Sequence, residues 1–381
     1  MDYFLIAGEA SGDLHGSHLI TALKREDPHA TFRFLGGDMM AAAAGRAPLI
    51  HYRNMAFMGF IEVAKHLRSI MGFLGLVKDE LRRQPPGVVI LIDYPSFNLK
   101  VAKWVHNTLH VPVHYFISPK VWAWKQWRVK AIKRVVDRVF SILPFEVDFY
   151  RRHGYEVDYV GNPTVNEVDA ALAAMGTRDD WCRASGLDPG KPIIALVPGS
   201  RVKEIRDNLP TMLQAARRHP AHHAVVAAAP GVDDCIYQEV LAGEEVPVLR
   251  GCTFELVRHA RAALVTSGTA TLETALLGTP QVACYRVNGS KWLYRFYSLL
   301  IKGKYVTLPN LIVDAPVIPE LLLHHCSVDG VERCLAPLLE ESPQRAAMLE
   351  GYARLERLLG HDDCCGECAR RIVRALASPA S

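Results

Sequence analysis

Little in this 381-residue sequence suits a membrane span, a polyanion partner or a disulfide framework. No apolar run approaches the roughly 18–20 residues that cross a bilayer, and the longest candidate, Ser69 to Val77, holds about nine. Charge of one sign is not in excess: Lys and Arg number 44 against 40 Asp and Glu, a net of +4. That balance is too mild to make nucleic acid the default partner, so any basic work falls to a local patch. Cysteine is missing before Cys182, and the nine Cys from there on form no evenly spaced framework, which predicts mostly buried thiols in a reducing compartment. The opening Met1-Asp2-Tyr3-Phe4-Leu5-Ile6-Ala7-Gly8 lacks the basic segment of a secretory signal and reads as a first strand, so a cytoplasmic location is expected.

What is present excludes global disorder: 50% of residues are hydrophobic and 22% charged, enough for cores in two domains of ordinary size. Short β-branched runs alternate with helix-length segments. The strand candidates are Tyr3–Ala7, Thr31–Leu35, Val88–Ile92, Val113–Ile117, Val139–Leu143 and Val157–Val160, then Ile193–Val197, Ala224–Ala228, Val246–Leu249, Ala262–Val265 and Gln281–Tyr285. Uninterrupted apolar strands separated by helices predict parallel sheets covered on both faces. Turn chemistry at Gly186–Pro192 marks a boundary. The expectation is an α/β chain of two Rossmann-like domains facing across a cleft, 1–165 and 190–340, with a helical segment over 341–381 that packs on either domain or on a partner subunit.

Four turns carry candidate chemistry. Gly8-Glu9-Ala10-Ser11-Gly12-Asp13 follows the first strand, with Ser11 and Gly12 where backbone approaches a ligand; it is not G-x-G-x-x-G, which disfavours NAD. Asp93 ends a strongly apolar strand, at the edge where open α/β sheets bind ligands, and reads either as a helix cap or as a general base. Pro198-Gly199-Ser200-Arg201 joins backbone donors to a cation before a helix, which suits phosphate. Ser267-Gly268-Thr269-Ala270-Thr271-Leu272-Glu273 offers a second anion nest, with Glu273 placed to accept from a ribose diol; ordinary N-capping is the plainer alternative. No Asp-x-Asp and no metal spacing occur, so no metal or cofactor is expected, and a departing diphosphate is neutralised by Arg201 and helix N-termini. His361, Cys364, Cys365 and Cys368 share a helical face, yet four ligands on one rigid helix wrap a tetrahedral ion poorly.

Two stretches suggest an anionic membrane surface. From Phe60 to Leu81 the apolar positions form a helical stripe, and Phe73 and Leu76 lie off it beside Lys65, His66 and Arg68. Lys120-Val121-Trp122-Ala123-Trp124-Lys125-Gln126-Trp127-Arg128 interleaves tryptophan with cations, a pattern that also suits nucleic acid or a phosphorylated ligand, and that a solvated basic face with core Trp residues shares.

Taken in order, these motifs resemble those of the lipid-A-disaccharide synthases. The resemblance runs from residue 3 to about 325 and includes Met58-Gly59-Phe60-Ile61-Glu62-Val63, Ile92-Asp93-Tyr94-Pro95, Ser118-Pro119-Lys120-Val121-Trp122, Leu143-Pro144-Phe145-Glu146 and Leu308-Pro309-Asn310-Leu311. It implies an inverting GT-B glycosyltransferase that joins UDP-2,3-diacylglucosamine to 2,3-diacylglucosamine 1-phosphate (lipid X), working peripherally on the cytoplasmic face of the inner membrane. It carries catalytic roles onto Asp93 and Arg201, and substrate contacts onto Ser11, Gly12, Glu62 and Asn310. Gly199, Ser200, Ser267, Gly268, Thr269 and Glu273 are expected around UDP, and Phe73, Leu76, Trp122 and Trp124 against acyl chains or lipid. In that family the C-terminal segment can cross between subunits of a homodimer. Three positions depart from the family: Ser96 where a second Asp is frequent, Asn162 in place of His, and Leu323 in place of Gln. Two rival readings are another GT-B enzyme with a soluble acceptor, an epimerase or glycosyltransferase, and a non-enzymatic reader of anionic surfaces or nucleic acid.

Overall fold

A computed structural model describes residues 1–55, 67–124, 126–266, 268–286 and 304–377, the side chains of 67–70, 123 and 124 excepted. The chain divides into two compact units, 1–163 with 361–381, and 164–360. Among the described residues the first unit carries β1 (Asp2–Ala7), β2 (Thr31–Gly36), β3 (Ile50–His51), β4 (Val88–Ile92), β5 (Val113–Phe116), β6 (Arg138–Ser141) and β7 (Asp158–Tyr159). They form one sheet in the order β3-β2-β1-β4-β5-β6-β7, every described pair parallel. The second unit carries β8 (Ile193–Val197), β9 (His223–Ala228), β10 (Val248–Arg250), β11 (Ala262–Thr266), β12 (Gln281–Tyr285) and β13 (Glu320–Leu322), in the order β10-β9-β8-β11-β12-β13 and likewise parallel.

The apolar runs are uninterrupted because both faces of each strand are covered. In β1, Phe4 and Ile6 join one core cluster while Tyr3, Leu5 and Ala7 join the other, and β4 splits the same way. The first cluster is closed by helices such as Leu67–Arg83 and Pro95–Thr108. The second is closed by helix Ala10–Glu26 and by the last helix, Cys364–Ala377. Cys364, Cys365 and Cys368 are buried in that second cluster, and the Cys364 thiol donates to the Gly161 carbonyl at 3.4 Å. They are small packing residues on the inner face of an amphipathic helix.

The stretch 341–381, expected as one segment, is divided at Gly360. Helix Pro343–Leu359 stays with the second unit and Cys364–Ala377 returns to the first. Helices Pro163–Ala174 and Arg178–Ala184, which precede β8, also belong to the second unit. The sequence predicted neither β3 nor β13, which are two and three residues long and leave no periodic pattern.

Candidate functional site

In each all-parallel sheet the strand order reverses between two neighbouring strands, β1 and β4 in the first and β8 and β11 in the second. The crevice outside the carboxyl ends at such a point is where open α/β sheets receive ligands. In the first unit Ala7 lies beside Ile92, so Gly8 and Asp93 emerge side by side. Asp93 and Tyr94 both have left-handed backbone, φ 42° and 47°, which is uncommon for Asp and strained for a bulky aromatic. Two buried side chains hold the turn: the Asn98 amide donates to the carbonyls of Ile92 (3.2 Å) and Asp93 (2.7 Å), and the Tyr115 hydroxyl donates to the Asp93 carbonyl. A Cβ on Gly8 would lie 2.3 Å from the Tyr94 ring, so glycine is required there. Burial, reinforced by the Glu9 carboxylate, pushes Asp93 up to about 6, against the opposing charge of Lys120.

A second acid lies on the same edge. Glu146, in the first turn of helix Pro144–Arg152, is buried, and burial pushes it up to about 7. It accepts from Ser141 Oγ and, at 3.0 Å, from the Trp122 indole. Trp122 packs edge-on against Phe145 with ring centres 5.0 Å apart. An indole N–H beside a buried carboxylate finds its acceptor there.

Asp13 is buried and accepts from the backbone N–H groups of Gly37 (2.6 Å), Met39 (3.1 Å) and Met40 (3.1 Å), capping helix Asp38–Ala44. Ser11 is exposed in the first turn of helix Ala10–Glu26, with Gly12 buried beneath it.

In the second unit Gly199 has φ 119°, and a Cβ there would lie 2.6 Å from the Glu204 side chain. Glu204 accepts from the Ser200 and Arg201 backbone N–H groups at 3.0 and 3.3 Å, and from the Arg201 guanidinium at 3.2 Å. The turn thus already holds a carboxylate, and Arg201 is paired although its side chain is 82% exposed. Gly268, φ 142°, opens helix Thr269–Leu276; both Gly268 and Thr269 are exposed, and nothing lies where a Gly268 Cβ would be. Glu273, a turn further on, is pushed up to about 7 by burial and by the charge of Glu167.

Asn310 is a structural staple. Its amide donates to the Ile318 carbonyl (2.9 Å) and Glu320 (3.0 Å), and its oxygen accepts from Ile318 N–H (2.8 Å). Both amide hydrogens are therefore engaged within the fold. Asn162, buried, donates to the Ile142 carbonyl at 2.9 Å, Ser96 is exposed, and Leu323 takes φ 57°.

Of the expected lipid contacts, Leu76 is 59% exposed, whereas Phe73 packs against the first core cluster. The structure adds exposed Met71 and Trp127. Glu62 and Ser267 lie outside the described residues, as does the Trp124 side chain. Sequence reasoning missed Glu9, Lys120 and Glu146 around Asp93, and Glu204 and Glu167 in the second unit. Glu146 and Lys120 do stand in quoted motifs, but nothing in the spacing says that they face Asp93. Among the described residues no three His, Cys, Asp or Glu side chains are grouped to hold a metal ion, and no helix is long and apolar enough to cross a membrane.

Two doubly wound units, each with its ligand edge where the strand order reverses, define a GT-B fold. The structure is similar to the UDP-GlcNAc 2-epimerase of Neisseria meningitidis bound to UDP-GlcNAc (TM-score 0.63, 13% identity, 99% of each chain). It is also similar to the glycosyltransferase of kitacinnamycin (TM-score 0.62, 14% identity, 98% of each chain). Likeness at that identity speaks to fold alone. Residues 3–368 match the lipid-A-disaccharide synthetase family model. A lipid-A-disaccharide synthase of Myxococcus xanthus is 38% identical over 379 residues, 98% of this chain and 97% of that protein. The chain belongs to the lipid-A-disaccharide synthase family and is a glycosyltransferase.

Proposed function

We propose that the chain transfers 2,3-diacylglucosamine from UDP-2,3-diacylglucosamine to the 6-hydroxyl of lipid X, with inversion. The products are the β-1,6 disaccharide 1-phosphate and UDP, a step of lipid A biosynthesis. The observation that carries the mechanism is Asp93: a carboxyl at the edge where the strand order reverses, held on left-handed backbone by Asn98 and Tyr115, and raised to about 6. An acid of that pKa is ionised at neutral pH yet basic enough to take a proton. Asp93 removes the 6-hydroxyl proton as that oxygen attacks the donor's anomeric carbon, and the anomeric carbon–oxygen bond breaks to release UDP. Ser11 and Gly12, on the neighbouring turn, contact the acceptor. Gly268 and Thr269 face the diphosphate through backbone N–H groups at a helix N-terminus, Gly199 and Ser200 form the second turn with Arg201 supplying charge, Ser267 is a further candidate, and Glu273 accepts from the ribose.

The acyl chains require work at a lipid surface, and exposed Leu76, Met71 and Trp127 suit peripheral attachment to the cytoplasmic face of the inner membrane. The test is an assay with both substrates in detergent and EDTA, following UDP and disaccharide by mass spectrometry. Asp93→Asn is expected to lower turnover by about 10²–10⁴-fold with UDP affinity unchanged. Turnover undiminished by the substitution removes Asp93 from the chemistry, and UDP release without disaccharide points to another acceptor.

A further inference from the structure

At the opposite edge of the second sheet, where β8 and β11 begin, lies a polar cavity of about 360 Å³ lined by Arg178, His259, Arg261 and Arg345. Each arginine is fixed by backbone carbonyls. Arg178 donates to Pro189 (2.6 Å), Lys191 (3.0 Å) and His259 (3.4 Å). Arg345 donates from Nη1 to Arg261 (2.9 Å) and Leu338 (2.7 Å), and Arg261 donates from Nε to Leu339 (2.8 Å). Bonding to carbonyls orients a guanidinium without neutralising it.

Negative charge is short here. Asp179 lies 3.8 Å from Arg178. One Glu341 oxygen is approached by Arg261 at 2.6 Å and by Arg345 at 4.0 Å, from a side chain 84% exposed. The buried His259 Nε2 has no partner among the described residues. The crowding of like charge is felt: burial and the Arg261 charge push Arg345 down, and burial with Arg178 and Arg258 pushes His259 down.

We propose that this cavity binds a phosphate-type oxyanion, gripped by Arg261 and Arg345 where they converge on the Glu341 oxygen and by the charge of Arg178. Rigid guanidinium forks suit such an anion, and the exposed Glu341 carboxylate is a weak internal stand-in for it. The anion is either orthophosphate or the phosphate head of an amphiphile. The site stands apart from the nucleotide edge, so it does not depend on the catalytic reading.

The test titrates the full chain, saturated with UDP, with orthophosphate at constant ionic strength against chloride, following Tm and ³¹P line width. A saturable rise is expected, several-fold tighter in Glu341→Gln, which removes the internal competitor at an exposed position, and at least tenfold weaker in Arg261→Gln. Dodecyl phosphate below its micelle concentration separates the sources: tighter binding than orthophosphate assigns a lipid head, and equal binding assigns the free ion. Identical responses to phosphate and chloride in both the wild type and Glu341→Gln overturn the proposal, whatever becomes of Arg261→Gln.

Discussion

Asp93 ties activity to stability through one proton. Its carboxyl is raised from 3.8 to about 6, so the folded chain holds that proton more tightly than the unfolded chain. The fold therefore loses stability as pH rises from 3.8 to about 6, and the loss persists above that window. Asp93→Asn is expected to raise stability at pH 8 by roughly 1–2 kcal/mol, allowing for partial exposure, while turnover falls about 10²–10⁴-fold; urea unfolding checks the gain. In the active chain the acid limb of kcat/KM should sit near 6. Because Lys120 lowers the Asp93 pKa, Lys120→Met should move that limb upward, and a pH–rate profile with an unmoved limb discards Lys120 as a tuning residue. Asp93 is legible in the sequence since an acid ending a buried strand needs a purpose. Lys120 and Glu146 are not, because they reach it from β5 and β6, and strand order is invisible in spacing.

At the level of elements, the small residues of Gly8–Asp13 serve packing as much as ligands. Asp13 alone satisfies three backbone donors of another helix's first turn. Asp13→Ala should destabilise the first unit by about 2–3 kcal/mol through orphaned N–H groups, measured by urea unfolding; a smaller loss means water replaces the carboxylate. β4, β8 and β12 fall where their apolar runs predict, because burial on both faces writes itself into the sequence as an unbroken run. Helix Leu67–Arg83 is less legible. Periodicity put Phe73 and Leu76 together off the core stripe, but the long Phe73 side chain bends back to the core and Leu76 remains outside.

For the whole molecule, attachment to lipid and nucleotide binding should separate between the units. Leu76→Ser with Met71→Ser and Trp127→Ser is expected to lower liposome co-sedimentation several-fold with Tm unchanged, whereas Phe73→Ser lowers Tm. Equal binding by the triple variant moves the lipid surface elsewhere. The two α/β units were readable from the alternation of strands and helices, but the turn residues at Gly186–Pro192 lie within the second unit, which begins at Thr164. The return of the last helix was not readable, because an amphipathic pattern records that a face is buried and not which surface buries it.

That return has a consequence for synthesis. The second unit, 164–360, is continuous and is complete while the first still lacks the helix that covers Leu19, Ile20 and Leu23. On the ribosome the unit begun first therefore finishes last, presenting an apolar surface for the time needed to translate some two hundred further residues, on the order of 10–40 s. A stop codon near residue 360 should leave the first unit, rather than the second, unfinished.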